Sequence, residues 1–210
     1  MSEQSELKDV LRIPAAGDGQ RIGLFGGSFN PPHEGHLNVC DLAIKKLKLD
    51  HIWWMVTPGN PLKDTSDLPG LAHRVKLCRQ IIENPKIKVT AFEAAYKTRY
   101  TADTVSLVLK LRPRLSFVWL MGADNLADFH KWQDWQKITS MLPIAVVDRP
   151  GSTLSYRSAR AALALSRFRV GEDDSGMLAN MQPPAWTFLH GPRNSLSSTA
   201  LRARNLEGRP

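Results

Sequence analysis

Apolar residues gather in six short runs, at positions 22–25, 52–56, 87–92, 117–121, 144–147 and 186–189. Runs of that length with little alternation predict strands buried on both faces. Between them apolar positions recur with helical period over 37–49, 71–83, 102–111, 125–141 and 155–166, which predicts five helices. Strands alternate with helices, so the expected fold is α/β: one domain built on a doubly wound, mostly parallel sheet covered on both faces. Residues 171–184, with Glu172, Asp173, Asp174 and the Pro183-Pro184 pair, read as a loop of variable length. In such a sheet ligands bind beyond the carboxyl ends of the strands, so chemistry is to be sought just after each run.

Composition narrows the class. A chain of 210 residues suffices for one α/β domain with a sizeable core and is too short for two ordinary ones. Residues 21–206 are expected to form that domain. Residues 1–20 are polar, lack the apolar stretch of a secretory signal, and are expected to form a flexible N-terminal extension. A formal charge of +8 suits a polyanionic partner, either nucleic acid or nucleotide. The basic residues are scattered and no aromatic-basic RNA-binding pattern appears, so a nucleic-acid module is the weaker reading. No apolar run approaches a bilayer span, so no membrane partner is expected. Cys40 and Cys78 stand far apart inside helical patterns and read as buried, reduced thiols, which fits the cytoplasm.

The densest chemistry follows the first run, in Gly26-Gly27-Ser28-Phe29-Asn30-Pro31-Pro32-His33-Glu34-Gly35-His36. Gly26 and Gly27 permit positive φ and close backbone approach, and Ser28 adds a hydroxyl. Pro31 and Pro32 cannot continue a strand, so the chain must turn before the next helix. His33 and His36, three apart, project from one face of a first helical turn, beside free N–H groups and the positive end of the helix dipole. That is an anion site, and phosphate is the natural occupant. The glycines miss the dinucleotide-binding spacing, no Gly-Lys-Ser/Thr follows as in a P-loop, and His-x-x-His with Gly35 between is not the zinc-binding H-E-x-x-H. A solvated Gly-rich turn explains either histidine alone, but not the whole combination.

The later strand ends offer further candidates. Lys63, in the turn-rich Thr57-Pro58-Gly59-Asn60-Pro61-Leu62-Lys63, is a phosphate ligand or a solvated loop lysine. Arg74, behind His73 in the following helix, is a phosphate contact, a loop-ordering residue or a surface arginine. Tyr100-Thr101-Ala102-Asp103-Thr104 enters a helix, where free N–H donors suit a small carboxylate as well as they suit a simple cap. Asp124, after the fourth run, accepts from a ribose hydroxyl or supports a helix start. Trp132 and Trp135 are three apart, and aromatics at that spacing are usually helix core. Ser197-Ser198-Thr199-Ala200-Leu201-Arg202 sets hydroxyls and an arginine at a last helix start, again an anion site or a plain cap.

Taken together these segments resemble the signature of the nucleotidyltransferase superfamily with the His-x-Gly-His motif, and within it the bacterial nicotinate-nucleotide adenylyltransferases. The likeness spans residues 21–206, with Asn30 where many members carry Asp and Leu196 where the family has Ile. It implies a Rossmann-like nucleotidyltransferase fold and the joining of ATP to nicotinate mononucleotide, giving deamido-NAD and pyrophosphate by direct in-line attack without a covalent intermediate. The resemblance assigns His33 and His36 to catalysis. It gives Gly26, Gly27, Ser28, Lys63, Ser198, Thr199 and Arg202 to the ATP phosphates. Thr101, Asp103, Thr104, Asp124 and Trp132 go to the mononucleotide, with Trp132 stacking on the pyridine ring and Trp135 in the core. Mg²⁺ is expected on the substrate phosphates and water, with no protein metal site. Phosphopantetheine adenylyltransferase is the near rival, and it lacks the Tyr-Thr-x-Asp-Thr and Trp-x-x-Trp elements. A nicotinamide mononucleotide preference stays open, as does assembly as monomer or homo-oligomer. A regulatory nucleotide-binding module that lost turnover is the rival from another class, against which the intact His33, His36, Ser198 and Arg202 speak.

Overall fold

The computed structural model describes residues 8–59, 68–148 and 158–191. Seven strands, β1 (Arg21–Gly27), β2 (His51–Val56), β3 (Ile87–Thr90), β4 (Ser116–Gly122), β5 (Ile144–Val147), β6 (Arg169–Val170) and β7 (Trp186–Leu189), form one sheet in the order β3-β2-β1-β4-β5-β7-β6. Every neighbouring pair is parallel. The helices are α1 (Glu34–Lys46), α2 (Leu71–Ile81), α3 (Phe92–Tyr96), α4 (Thr101–Leu111), α5 (Ala123–Phe129), α6 (Trp135–Met141) and α7 (Arg160–Ala164).

The unbroken apolar runs have the meaning expected of them. Along β2 and β4 successive side chains alternate between two buried cores, Trp53 and Trp119 in one, Trp54 and Leu120 in the other. Both faces are therefore dry. The chain builds β1 to β3 outward on one side and β4 to β7 on the other, so the winding reverses between β1 and β4. There the connections leave in opposite directions, which is where open parallel sheets bind their ligands.

Several elements differ from the sequence expectation. The run 87–92 ends as a strand at Thr90, and Phe92 opens the short helix α3 instead. The single helix expected over 125–141 is two helices, because Asp134 takes a left-handed φ of 54° between them. The polar loop at 171–184 holds a 3₁₀ helix, Glu172–Asn180, pinned to α1 by a Lys46–Glu172 ion pair of 3.1 Å. β6 adds a seventh strand too short to register as an apolar run.

The expected loose extension is tied down where it is described. Val10 and Ile13 are buried, and the Thr90 hydroxyl donates to the carbonyls of Val10 and Arg12. The Ala91 amide also donates to Val10, at 2.7 Å, so the segment covers the end of the edge strand β3. Cys40 and Cys78 are free and buried, and burial pushes both thiols upward, Cys78 to about 12. No helix among the described residues is long and apolar enough to cross a membrane.

Candidate active site

The site is built from the end of β1. Gly26 and Gly27 are its last residues, and neither takes a positive φ. This corrects the expected role of the pair. What excludes a side chain is crowding: a Cβ at Gly27 would lie 3.0 Å from the Phe29 ring, and one at Gly26 would lie 3.2 Å from the Trp119 ring. The left-handed conformation falls to Phe29, with φ 46°, a strained value for a bulky residue. Packing holds it there. The Phe29 ring is 4.5 Å from Trp54 and 5.6 Å from Phe25, centroid to centroid, and is 3 % exposed.

His33 and His36 then cap α1 for each other. His33 is the N-cap residue, and its Nδ1 accepts from the Gly35 amide at 3.1 Å, while Nδ1 of His36 accepts from the His33 amide at 3.2 Å. This is the reciprocal geometry of a capping box made with two imidazoles. Because each Nδ1 accepts, the proton of each neutral ring must sit on Nε2, so both rings carry their N–H donor on the far side. Their centroids are 3.8 Å apart, both residues are buried, and Phe29 supports His36 edge-on at 5.0 Å.

Arg74 is 1 % exposed and organises the neighbouring loops. Its guanidinium donates to the carbonyls of Ser28 and Thr57 at 2.8 Å, to Pro69 at 2.8 Å and to Pro58 at 3.3 Å. With its donors turned to backbone, it serves as a loop-ordering residue rather than a phosphate ligand. It joins the segments after β1 and β2 to the approach of α2. Ser28 is half-buried at this junction. Lys63, Ser198, Thr199 and Arg202 lie outside the described residues.

Across the sheet edge, on the face of the other core, stand the remaining candidates. Trp132 is half-buried in the connection between α5 and α6, edge-on to Trp119 at 6.3 Å and to Phe129 at 5.3 Å. Trp135 packs on Phe129 at 5.8 Å, as expected of a core residue. Since the Trp119 ring also fills the space beside Gly26, one aromatic links the end of β1 to Trp132. Asp124 is exposed in the first turn of α5, directly after β4. Thr101 opens α4, half-buried, and Asp103 is exposed in the same turn.

Thr104 departs from expectation. It is wholly buried, and its hydroxyl donates at 2.7 Å to Glu93 of α3, so it anchors α4 rather than reaching a substrate. Glu93 escaped the sequence reading, as did Phe29 and Trp54. The visible signal was an acid inside the apolar stretch Ala91-Phe92-Glu93-Ala94-Ala95. Desolvation lifts its carboxyl to about 7 against the lowering effect of the Thr104 hydrogen bond. Among the described residues no group of three or more His, Cys, Asp or Glu is arranged to hold a metal ion.

The chain resembles known proteins in both sequence and fold. Residues 24–204 match the model of the cytidylyltransferase-like family. The chain is 58 % identical over 189 residues to a Brucella suis protein named "probable nicotinate-nucleotide adenylyltransferase", covering 90 % of this chain and 97 % of that one. A Mesorhizobium japonicum protein of the same name is 58 % identical over 190 residues, with the same coverages. Among solved structures, Plasmodium falciparum nicotinic acid mononucleotide adenylyltransferase complexed with APC shares the fold. Its TM-score is 0.65 at 20 % identity, over 88 % of this chain and 83 % of that one. The same protein complexed with NaAD gives 0.64.

Proposed function

This chain belongs to the nicotinate-nucleotide adenylyltransferases of the cytidylyltransferase-like family, and on that premise we propose that it joins ATP and nicotinate mononucleotide into deamido-NAD. The 5′-phosphate oxygen of the mononucleotide attacks the α-phosphorus of ATP, the α–β bridging bond breaks, and pyrophosphate leaves with the bonding pair. The attacking phosphate is already charged, so no protein nucleophile or strong base is required. Catalysis is alignment plus stabilisation of negative charge as it develops on the transferred group.

The observation that supports this most is the double histidine cap of α1 at the reversal of winding. It sets two imidazoles at a helix N-terminus, a group of donors whose chemistry suits an anion. Phe29 and Trp54 keep His36 in place. Ser28, Lys63, Ser198, Thr199 and Arg202 are proposed for the remaining phosphate contacts, Asp124 for the ribose, and Trp132 with the first turn of α4 for the pyridine ring and its carboxylate. ATP enters as its Mg²⁺ complex. In this proposal the ion is carried by phosphate oxygens and water rather than by the protein. Two buried free thiols favour the cytoplasm as the place of reaction.

The test is pyrophosphate release with Mg-ATP and, in parallel, nicotinate mononucleotide, nicotinamide mononucleotide or phosphopantetheine. Turnover is expected with nicotinate mononucleotide as the best acceptor. A better rate with phosphopantetheine would overturn the assignment of Trp132 and of the start of α4.

A further inference from the structure

Glu93 is a buried carboxyl for which the reaction has no direct use. It is 7 % exposed and sits in the first turn of α3, immediately beyond the carboxyl end of β3. The Thr104 hydroxyl lies 2.7 Å from its Oε1, and the Thr98 hydroxyl lies 3.1 Å from that of Thr104. Thr98 is half-buried and is held in place by its amide, which donates to the Glu93 carbonyl at 3.1 Å. The three groups thus form a chain from the interior to the segment that leads into Thr101, the first residue of α4.

A hydroxyl has one proton to donate, so such a chain has a direction. With Glu93 ionised, Thr104 must donate to the carboxylate and Thr98 to Thr104, which leaves Thr98 turning lone pairs outward. With Glu93 neutral, its own O–H can donate to Thr104 and Thr104 to Thr98, and the proton of Thr98 is then free to point outward. One proton taken from solvent reverses every bond in the chain.

We propose that Glu93 is a positioning residue for substrate choice, setting through Thr104 and Thr98 whether the entrance to α4 offers a donor or an acceptor to the substituent on the pyridine ring. This rests on the mononucleotide site proposed above. A carboxylate accepts only, so it is favoured by the outward donor. A carboxamide carries N–H groups and gains from the outward acceptor.

The direction of the pH effect follows. Burial holds the Glu93 carboxyl at about 7, so the chain switches across neutral pH: donor outward below, acceptor outward above. The charged residues on the surrounding elements are Lys8, Asp9 and Arg12 of the N-terminal segment, Lys88 of β3, Lys97 and Arg99 of the connection, and Asp103 and Lys110 of α4. Lys88 is half-buried and the others are exposed, and the causes of the shift are desolvation first and the Thr104 hydrogen bond second.

The experiment measures kcat/KM for nicotinate and nicotinamide mononucleotide with Mg-ATP from pH 5.5 to 8.5 and follows their ratio. Ionisation of the shared 5′-phosphate and of the ATP site cancels in that ratio. The acid-to-amide ratio is expected to fall about tenfold as pH rises through neutrality, the size expected for one hydrogen bond to a charged group. In Glu93→Gln, whose amide keeps donating to Thr104, the ratio should stay high and flat. In Thr98→Val, which removes only the half-buried outer hydroxyl, it should be flat in an enzyme that still folds. A flat ratio in the wild-type protein, or an unchanged slope in Thr98→Val, would overturn the proposal while leaving the reaction intact. Absence of turnover with both mononucleotides would overturn the reaction and this proposal together.

Discussion

At the scale of single residues, the two histidines do two jobs with opposite ends of the ring. Nδ1 caps the helix start and Nε2 is the donor proposed for the phosphate, so the jobs can be separated by substitution. In His33→Asn the amide oxygen can replace Nδ1 as the cap acceptor, because Asn is among the best N-cap residues. Urea unfolding should move by no more than about 0.5 kcal/mol, while kcat falls about 100-fold or more for loss of one preorganised donor. A large stability loss with kcat retained would show a capping role alone. Trp132 is half-buried against Trp119 and Phe129, and the proposal gives one of its ring faces to the pyridine. Trp132→Ala should raise KM for the mononucleotide about tenfold and leave KM for ATP nearly unchanged, consistent with the loss of one stacking contact. Equal effects on both substrates would mark it as structural. The His-x-x-His spacing showed in the sequence that these rings share a face. That each holds the other's helix start depended on the chain's entry angle, set by Phe29 at φ 46°.

At the scale of elements, the proposed site depends on two strand ends being held in register with a helix start. Hydrogen bonds of the sheet bring Gly27 beside Val56. Beyond the strands there is no ladder, and Arg74 takes over by drawing the carbonyls of Ser28, Thr57, Pro58 and Pro69 to one guanidinium. Arg74→Met keeps the apolar stem and strands those buried acceptors, so stability should drop by about 3 kcal/mol in urea unfolding. KM for ATP should rise with it, since the segments around Ser28 and the start of α2 would loosen together. Retained stability and KM would mean that the loops are fixed by their own packing. A sequence window could not decide among surface, phosphate and loop roles for Arg74, because its acceptors lie 5 to 46 residues away.

At the scale of the molecule, a parallel sheet buried on both faces leaves two edges to protect. β6 is only two residues long, and a two-residue edge offers little to pair with. β3 is shielded by the N-terminal segment, whose Val10 joins one core and Ile13 the other. Deleting residues 1–16 should therefore lower stability by about 3 kcal/mol, from the loss of two buried aliphatic side chains. It should also produce concentration-dependent association, detectable by light scattering, as the β3 end is uncovered. A truncated protein that stays monodisperse and equally stable would show that this segment is ornament.

What the sequence determined by itself is local or periodic. Continuous apolar runs fixed six of the strands, because a doubly covered sheet asks for the same residue class at every position. The prolines and histidines after β1 pointed to a helix start with imidazoles at it, because capping and dipole effects act within one helical turn. Tertiary structure decided what depends on distant neighbours. It made Gly26 and Gly27 concessions to Trp119 and Phe29 rather than turn residues, gave Arg74 to backbone carbonyls, and closed the hydroxyl of Thr104 onto Glu93. Each of those outcomes is set by which atoms fill the adjoining space once the sheet has assembled, and no periodicity along the chain encodes that.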